Sequence, residues 1–267
     1  MTDSWDDAEL YELETADEPD FDFGFWQGLV RELRPHRMLE LACGTGRLTV
    51  PLTAAGLSAR EDFELVGLDS SEPFLARASE QVDAQPEAVR AAVRLQLGDM
   101  RDFELDGSFD LIAMPFNTLS YVYNTHDQLA ALTTARRHLA DDGRLAFDLL
   151  APRLDYLAEA VHPIPPMRLD VDFRLQRNGI ERFLRSCVDR YDAATQTLTS
   201  TFLYDIHRSG GAVERHIHDV LWHMYFPAEL ELLLAKSGFE PVVRQGGWNG
   251  EPWDSAARRY VFVCSAS

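Results

Sequence analysis

The chain has 267 residues, and its 25 Lys+Arg against 44 Asp+Glu give a formal net charge of -19. A surface of that sign repels phosphate backbones, and no run of Lys or Arg supplies a local basic patch, so nucleic acid is not expected as a partner. No apolar stretch approaches the ~20 residues that cross a bilayer. The acidic start also lacks the basic and apolar regions of a signal peptide. No membrane partner and a cytoplasmic location are therefore expected. Cys43, Cys187 and Cys264 are too scattered for a disulfide framework or a zinc site and read as reduced thiols.

Residues 1–20 read as an acidic arm. A helix is predicted from Phe21 or Asp22 to about Leu33, ended by Pro35. Met38 to Ala42 is a short apolar strand, a glycine loop follows, and Arg47 to Ala55 opens a second helix. The next strand is Glu64 to Leu68, stopping at Asp69. Ser70 or Ser71 then caps a helix that runs to about Gln81. Val93 to Leu97 and Phe109 to Met114 are strands, and Asp127 to Leu139 is a helix. Arg144 to Leu150 is a strand after an Asp142-Gly143 turn. Strands alternating with helices in this way call for an α/β fold with a mostly parallel sheet covered on both faces.

The pattern then changes. Leu169 to Arg177, Ile180 to Tyr191, Thr197 to Arg208 and Val213 to Trp222 are strand-like and joined by Asn178-Gly179, residues 192–195 and Ser209-Gly210-Gly211. These joints are hairpin signals, so the segment is an antiparallel β meander. Phe202, Tyr204 and Ile206 share one of its faces. A helix from Pro227 to Ser237, stopped by Gly238, and strands Phe239 to Arg244 and Arg259 to Cys264 return to the main sheet. The expected organisation is an arm and helix over 1–35 and a cofactor-binding α/β domain over 36–160. An inserted meander over 161–225 precedes a return to the α/β domain over 226–267.

Glu40 to Gly46 places two glycines between a strand and a helix, where the chain must turn tightly and aim helix amides at a ligand. A dinucleotide loop has the pattern Gly-x-Gly-x-x-Gly, and the third glycine is absent after Gly44-Thr45-Gly46. Glu40 beside the loop is awkward for a diphosphate and suits a sulfonium or an ammonium. Asp69, ending the second strand, is placed to accept ribose hydroxyls or to cap the following helix. Asp99 in Gly98-Asp99-Met100, after the third strand, is placed to accept from an adenine amino group, although Gly-Asp is also a plain turn.

These blocks resemble class I S-adenosylmethionine-dependent methyltransferases. "MLELACGTGRLTVP" (Met38 to Pro51) is similar to the family's first motif, "VGLDSSEPFLARA" (Val66 to Ala78) to its second, and "LGDMRDF" with "FDLIAMPFNTLSYV" to its third and the region after it. With "RRHLADDGRLAFDLL" (Arg136 to Leu150) the likeness covers about half the chain. It implies a Rossmann-like seven-stranded sheet whose last strand is antiparallel, with S-adenosyl-L-methionine as cofactor and no metal. Glu40 and the backbone at Ala42 and Gly44 would hold the methionine portion, Asp69 the ribose diol, and Asp99 with Met100 the adenine. Gly46, Ser70 and Pro115 complete the expected cofactor set, and Tyr11 would come over the methionine end.

The acceptor is expected at the carboxyl end of the fourth strand, at Pro115, Phe116, Asn117, Thr118, Ser120 and Tyr121. Met114-Pro115-Phe116-Asn117 departs from the Asn/Asp-Pro-Pro-Tyr/Phe signature of methylation on planar nitrogens. The chain looks more like small-molecule N-methyltransferases acting on sugars, glycopeptides, glycine or sarcosine. Tyr121 stands about where sugar N-methyltransferases carry a histidine. Tyr121, His218 and His223 are the catalytic candidates. His216, His218 and Glu214 share a strand face, as a metal site or a solvated strand would. Trp5, Trp248 and Trp253 are candidate pocket borders, and the loop Gln245 to Ala257 is long enough to move. The expected activity is N-methylation of an amine on a small metabolite, such as an amino sugar or a peptide-like natural product. The alternatives are O-methylation, another enzyme class on the same scaffold, and a non-catalytic cofactor-binding regulator. A homodimer is a base-rate expectation.

Overall fold

The computed structural model describes residues 8–16, 21–177 and 179–267. Trp5, Asn178 and most of the acidic arm lie outside the described residues. Two compact units are present. One combines residues 8–16 with Pro152–Met224, and the other residues 21–151 with Tyr225–Ser267.

The larger unit holds helix α2 (Phe23–Leu33), strand β1 (Arg37–Leu41), helix α3 (Thr49–Ala59), strand β2 (Glu64–Asp69), helices α4 (Glu72–Asp83) and α5 (Glu87–Ala92), and strands β3 (Val93–Leu97) and β4 (Phe109–Met114). Helix α6 (Thr125–His138), strand β5 (Leu139–Leu150), helix α8 (Pro227–Lys236) and strands β10 (Phe239–Gln245) and β11 (Arg259–Ala266) complete it. The sheet order is β10-β11-β5-β4-β1-β2-β3. β3, β2, β1, β4 and β5 pair in parallel, while β11 runs antiparallel to both β5 and β10. This is the expected seven-stranded sheet with its reversed strand. The chain order turns back between β1 and β4, the place where open α/β sheets bind ligands.

Alternation along each strand supplies both cores. Leu39, Ile112, Met114, Phe147 and Phe262 face α6 and α8, whereas Met38, Leu111, Ala113, Ala146 and Val263 face α2 and α3 through Trp26, Val30 and Leu52. The helix ends follow local chemistry. Ser71 caps α4 by accepting from the Phe74 amide, Asn124 caps α6, and Gly238 ends α8 at φ 79°. The helix after the glycine loop starts at Thr49 rather than Arg47, because Gly44 and Gly46 keep the chain in positive φ. The short α5 carried no periodic signal.

β5 spans Leu139–Leu150, but residues 140–143 pair with neither β4 nor β11, so the chain bulges out at Asp142-Gly143 and the ladder resumes at the expected Arg144. Pairing with β4 slips between Phe109 and Leu111, and a Cβ on Gly143 would stand 2.9 Å from the Phe109 carbonyl oxygen. Gly143 closes this bulge where the chain passes close to the β4 backbone.

The other unit contains helix α1 (Ala8–Glu14), helix α7 (Leu154–Ala160) and strands β6 (Met167–Arg177), β7 (Ile180–Asp192), β8 (Thr197–Arg208) and β9 (Val213–His223). The strands pair antiparallel in the order β6-β7-β8-β9. Leu198, Ser200, Phe202, Tyr204 and Ile206 are buried and their neighbours along β8 are not, as the alternation predicts. On the buried face Asp189 accepts from Tyr156 Oη and Ser200 Oγ, both at 2.6 Å, from Cys187 Sγ, and from Arg168. Glu14 of α1 accepts from Tyr204 Oη and pairs with Arg185. All three cysteines are free and buried.

Candidate functional site

The loop after β1 is built from the backbone outward. Ala42, Gly44 and Gly46 take φ of 56°, 58° and 86°. For Ala42 that conformation is uncommon and strained, as is typical of ligand loops. Cys43 donates its amide to the Leu68 carbonyl, tying the loop to β2. Gly44 donates its amide to Asp69 Oδ2 at 2.7 Å, and Ser71 donates to Asp69 Oδ1 at 2.9 Å. Ser70 is exposed beside them.

Glu40 is 2% exposed and accepts from Thr49 Oγ1 at 2.7 Å. Burial pushes its carboxyl up to about 7, with the Thr49 hydroxyl and Arg47 pulling the other way. A cation placed beside it would favour the ionised carboxylate.

The tip of β4 carries a second concentration of buried charge. Phe116 and Asn117 take φ of 56° and 63°. The Phe116 amide donates to Asp148 Oδ1 at 2.7 Å, and the Asn117 amide donates to the Asp148 carbonyl. Arg259 Nη1 donates to Asp148 Oδ2 at 2.5 Å and to Asn117 Oδ1 at 2.9 Å. Burial raises the Asp148 carboxyl while Arg259 lowers it. Arg47 makes a two-pronged pair with the fully buried Asp22, at 2.7 and 2.9 Å, and its guanidinium lies over Phe21, Phe23 and Phe116. Trp248 packs on Phe21 with ring centroids 5.1 Å apart, and the Arg259 guanidinium lies 4.1 Å from the Trp248 ring centre. Pro115 is buried, and its carbonyl accepts from the Thr118 amide and hydroxyl. A single 3₁₀ turn, Thr118–Tyr121, leaves Tyr121 half-buried.

A glycine loop at the switch point, an acid ending β2 and a strained tip on β4 form one edge of the sheet. A methyltransferase-domain family profile matches residues 39–145, the segment that contains all three. The chain is 27% identical over 240 residues to the cypemycin N-terminal methyltransferase of a Streptomyces species, covering 89% of this chain and 86% of that one. Residues 39–145 thus match a methyltransferase domain, and the chain resembles the class I S-adenosylmethionine-dependent methyltransferases.

A Streptomyces venezuelae dTDP-3-amino-3,4,6-trideoxy-alpha-D-glucopyranose N,N-dimethyltransferase is 32% identical over 117 residues, 43% of this chain and 44% of its own length, so it spans less than half of either protein. The CcbJ methyltransferase of Streptomyces caelestis shares the fold, with 24% identity, a TM-score of 0.70, and 94% and 96% of the two chains covered.

The site fits S-adenosylmethionine on its own chemistry. The loop turns through glycines in positive φ, and a buried carboxyl near neutrality waits behind it for a positive partner such as a sulfonium or an ammonium. The acid ending β2 is fixed by two amides. Asp99 stands after β3 with Met100 half-buried beside it, but the Asp99 carboxylate is engaged by the Arg101 guanidinium and amide, which hold it below the usual range.

Glu40, Ala42, Gly44, Gly46, Asp69, Ser70, Asp99, Met100, Pro115 and Tyr121 all belong to the larger unit. Tyr11, His218 and His223 belong to the meander unit. His218 is half-buried, edge-on to Tyr204 and stacked on His216, whereas His223 is buried and, by alternation, on the opposite strand face. Glu214 pairs with Arg208 instead of joining His216 and His218, and among the described residues no group of three His, Cys, Asp or Glu is placed to hold a metal.

Asp22, Arg47, Asp148 and Arg259 escaped the sequence reading as site residues. The available signal was Asp148, an acid inside the otherwise apolar run Leu145–Leu150.

Proposed function

We propose that the protein transfers a methyl group from S-adenosylmethionine to an amine on a small metabolite, an amino sugar or a peptide-like natural product. The observation that carries the choice of nitrogen is the chemistry of the β4 tip. Pro115, Phe116, Asn117, Thr118, Ser120 and Tyr121 offer no carboxylate or imidazole, and the Asp148 carboxylate behind them is committed to Arg259 and the Phe116 amide. A hydroxyl acceptor needs a base to give up its proton, whereas a neutral amine brings its own lone pair. The donor sulfonium is already activated, so the protein's task is alignment and exclusion of water.

The relative whose match covers 89% of the chain, and so must extend through the meander, is named for N-terminal methylation. That supports the same reading. Within it, Glu40, Ala42, Gly44 and Gly46 attend the methionine portion, Asp69 the ribose, and Asp99 with Met100 the adenine. Tyr121 is a candidate for orienting the acceptor.

Calorimetry with S-adenosylmethionine, S-adenosylhomocysteine and NAD tests the cofactor, and binding of NAD alone would overturn the reading. Methyl-labelled S-adenosylmethionine offered with amino sugars, peptides and phenols tests the nitrogen. Label on phenols with none on amines would replace N-methylation by O-methylation.

A further inference from the structure

The loop between β10 and β11 carries two buried polar atoms that no protein group meets. β10 is antiparallel to β11 and β11 to β5, so β10 points the same way as β4 and its loop emerges at the ligand edge of the sheet. The loop is folded on itself. Gly246 donates its amide to the Glu251 carbonyl, Asn249 is held by the Glu251 carboxylate, and a Cβ on Gly246 would stand 2.2 Å from the Pro252 carbonyl oxygen. Trp248 is thus presented on a braced turn, with its ring against Phe21 and the Arg259 guanidinium. Its indole Nε1 is buried without a hydrogen-bond partner, and so is Gln245 Oε1 at the loop's root. One is a donor and the other an acceptor, and burial without a protein partner is unfavourable for each unless a water or a ligand supplies the complement.

Two cations of this edge are already committed. Arg47 is held by Asp22 and Arg259 by Asp148, both carboxylates fully buried, so a phosphate that drew either guanidinium away would strand a buried charge. Arg258 is exposed, where a single cation in water contributes little.

We propose that Phe21, Phe116, Trp248 and Gln245 receive the methyl acceptor, and that this acceptor is a peptide-like amine carrying an amide and no phosphate. An amide carbonyl accepts from Trp248 Nε1, an amide N–H donates to Gln245 Oε1, and the apolar body lies on the aromatic rings. The assignment rests on the methyl-transfer reading and narrows it from amino sugars to peptide-like acceptors.

The test loads the full chain with S-adenosylhomocysteine and titrates it by calorimetry with trialanine and, separately, with dTDP. Trialanine is expected to bind and dTDP is not. Trp248→Phe keeps the ring and removes the N–H, and should weaken trialanine five- to tenfold while leaving S-adenosylhomocysteine affinity unchanged. Gln245→Leu should act in the same direction. In turnover, Trp248→Phe should raise the trialanine KM with kcat little changed. Saturable dTDP binding, no trialanine binding, or wild-type trialanine affinity in Trp248→Phe each overturns the proposal. If S-adenosylhomocysteine itself fails to bind, it is the methyl-transfer reading that falls.

Discussion

Asp69 Oδ2 accepts the amide proton of Gly44 at 2.7 Å, so the carboxylate that ends β2 also holds the crest of the loop that follows β1. Removing it should harm the loop and, with it, the proposed ribose contact. Asp69→Ala is expected to weaken S-adenosylmethionine binding by at least tenfold, and Asp69→Asn by less, because the amide oxygen still accepts from Gly44. Calorimetry measures both, and unchanged affinity in Asp69→Ala would remove the ribose assignment.

Glu40 makes the cofactor-free protein sensitive to pH near neutrality. Its folded-state carboxyl is raised from 4.5 to about 7, chiefly by burial. The stability linked to its neutral form is therefore complete below about pH 4.5 and is lost as pH rises through about 7. A shift of that size corresponds to about 3 kcal/mol by pH 8. Glu40→Gln should flatten this part of the profile, so that the variant exceeds the wild type in stability at about pH 8 and not at about pH 5. Urea unfolding at the two pH values checks the sign. A sulfonium or ammonium nearby favours the ionised carboxylate, so S-adenosylmethionine binding near pH 7 should release a proton. Calorimetry in buffers of differing ionisation enthalpy detects that release.

Arg259 neutralises a carboxylate with no access to water. Arg259→Gln should destabilise the protein by about 3–5 kcal/mol, because Asp148 is left buried and uncompensated. Adding Asp148→Asn should recover part of that loss, since the Asn side-chain oxygen can still accept from the Phe116 amide. A double-mutant cycle in denaturant measures the coupling, and additive losses would show that the two side chains do not act as a pair.

Asp189 is the corresponding hub of the meander. Asp189→Ala strands two hydroxyls, a thiol and a guanidinium, at a cost of about 3 kcal/mol. Tyr156→Phe removes one of those bonds and should cost about 1 kcal/mol. Hydrogen exchange should show lost protection along β7 and β8 with β1 and β4 unchanged, and equal loss in both sheets would refute a local role.

Helices α1, α5 and α7 carry no signal in the pattern, and the reversed last strand is implied only by the family resemblance. The sequence by itself determined the other elements, the parallel sheet, the four-stranded meander and the positions of Glu40, Gly44, Gly46 and Asp69. Those features rest on local physics. Alternating or continuous apolar runs select strands, Ser71 and Gly238 mark helix ends, and glycines between a strand and a helix announce a tight turn.

The pairing of charges was decided only by tertiary structure. Nothing within a few residues of Arg259 reveals that it will meet Asp148 and Asn117, or that Arg47 will reach back to Asp22 beneath three phenylalanines, because these partners are 25 to 142 residues apart. The same holds for the close approach of Gly143 to the Phe109 carbonyl, and for Asp99, whose carboxylate meets Arg101. Burial raised the Glu40 carboxyl and left the Trp248 indole N–H without a partner, and burial is a property that no short window of residues contains.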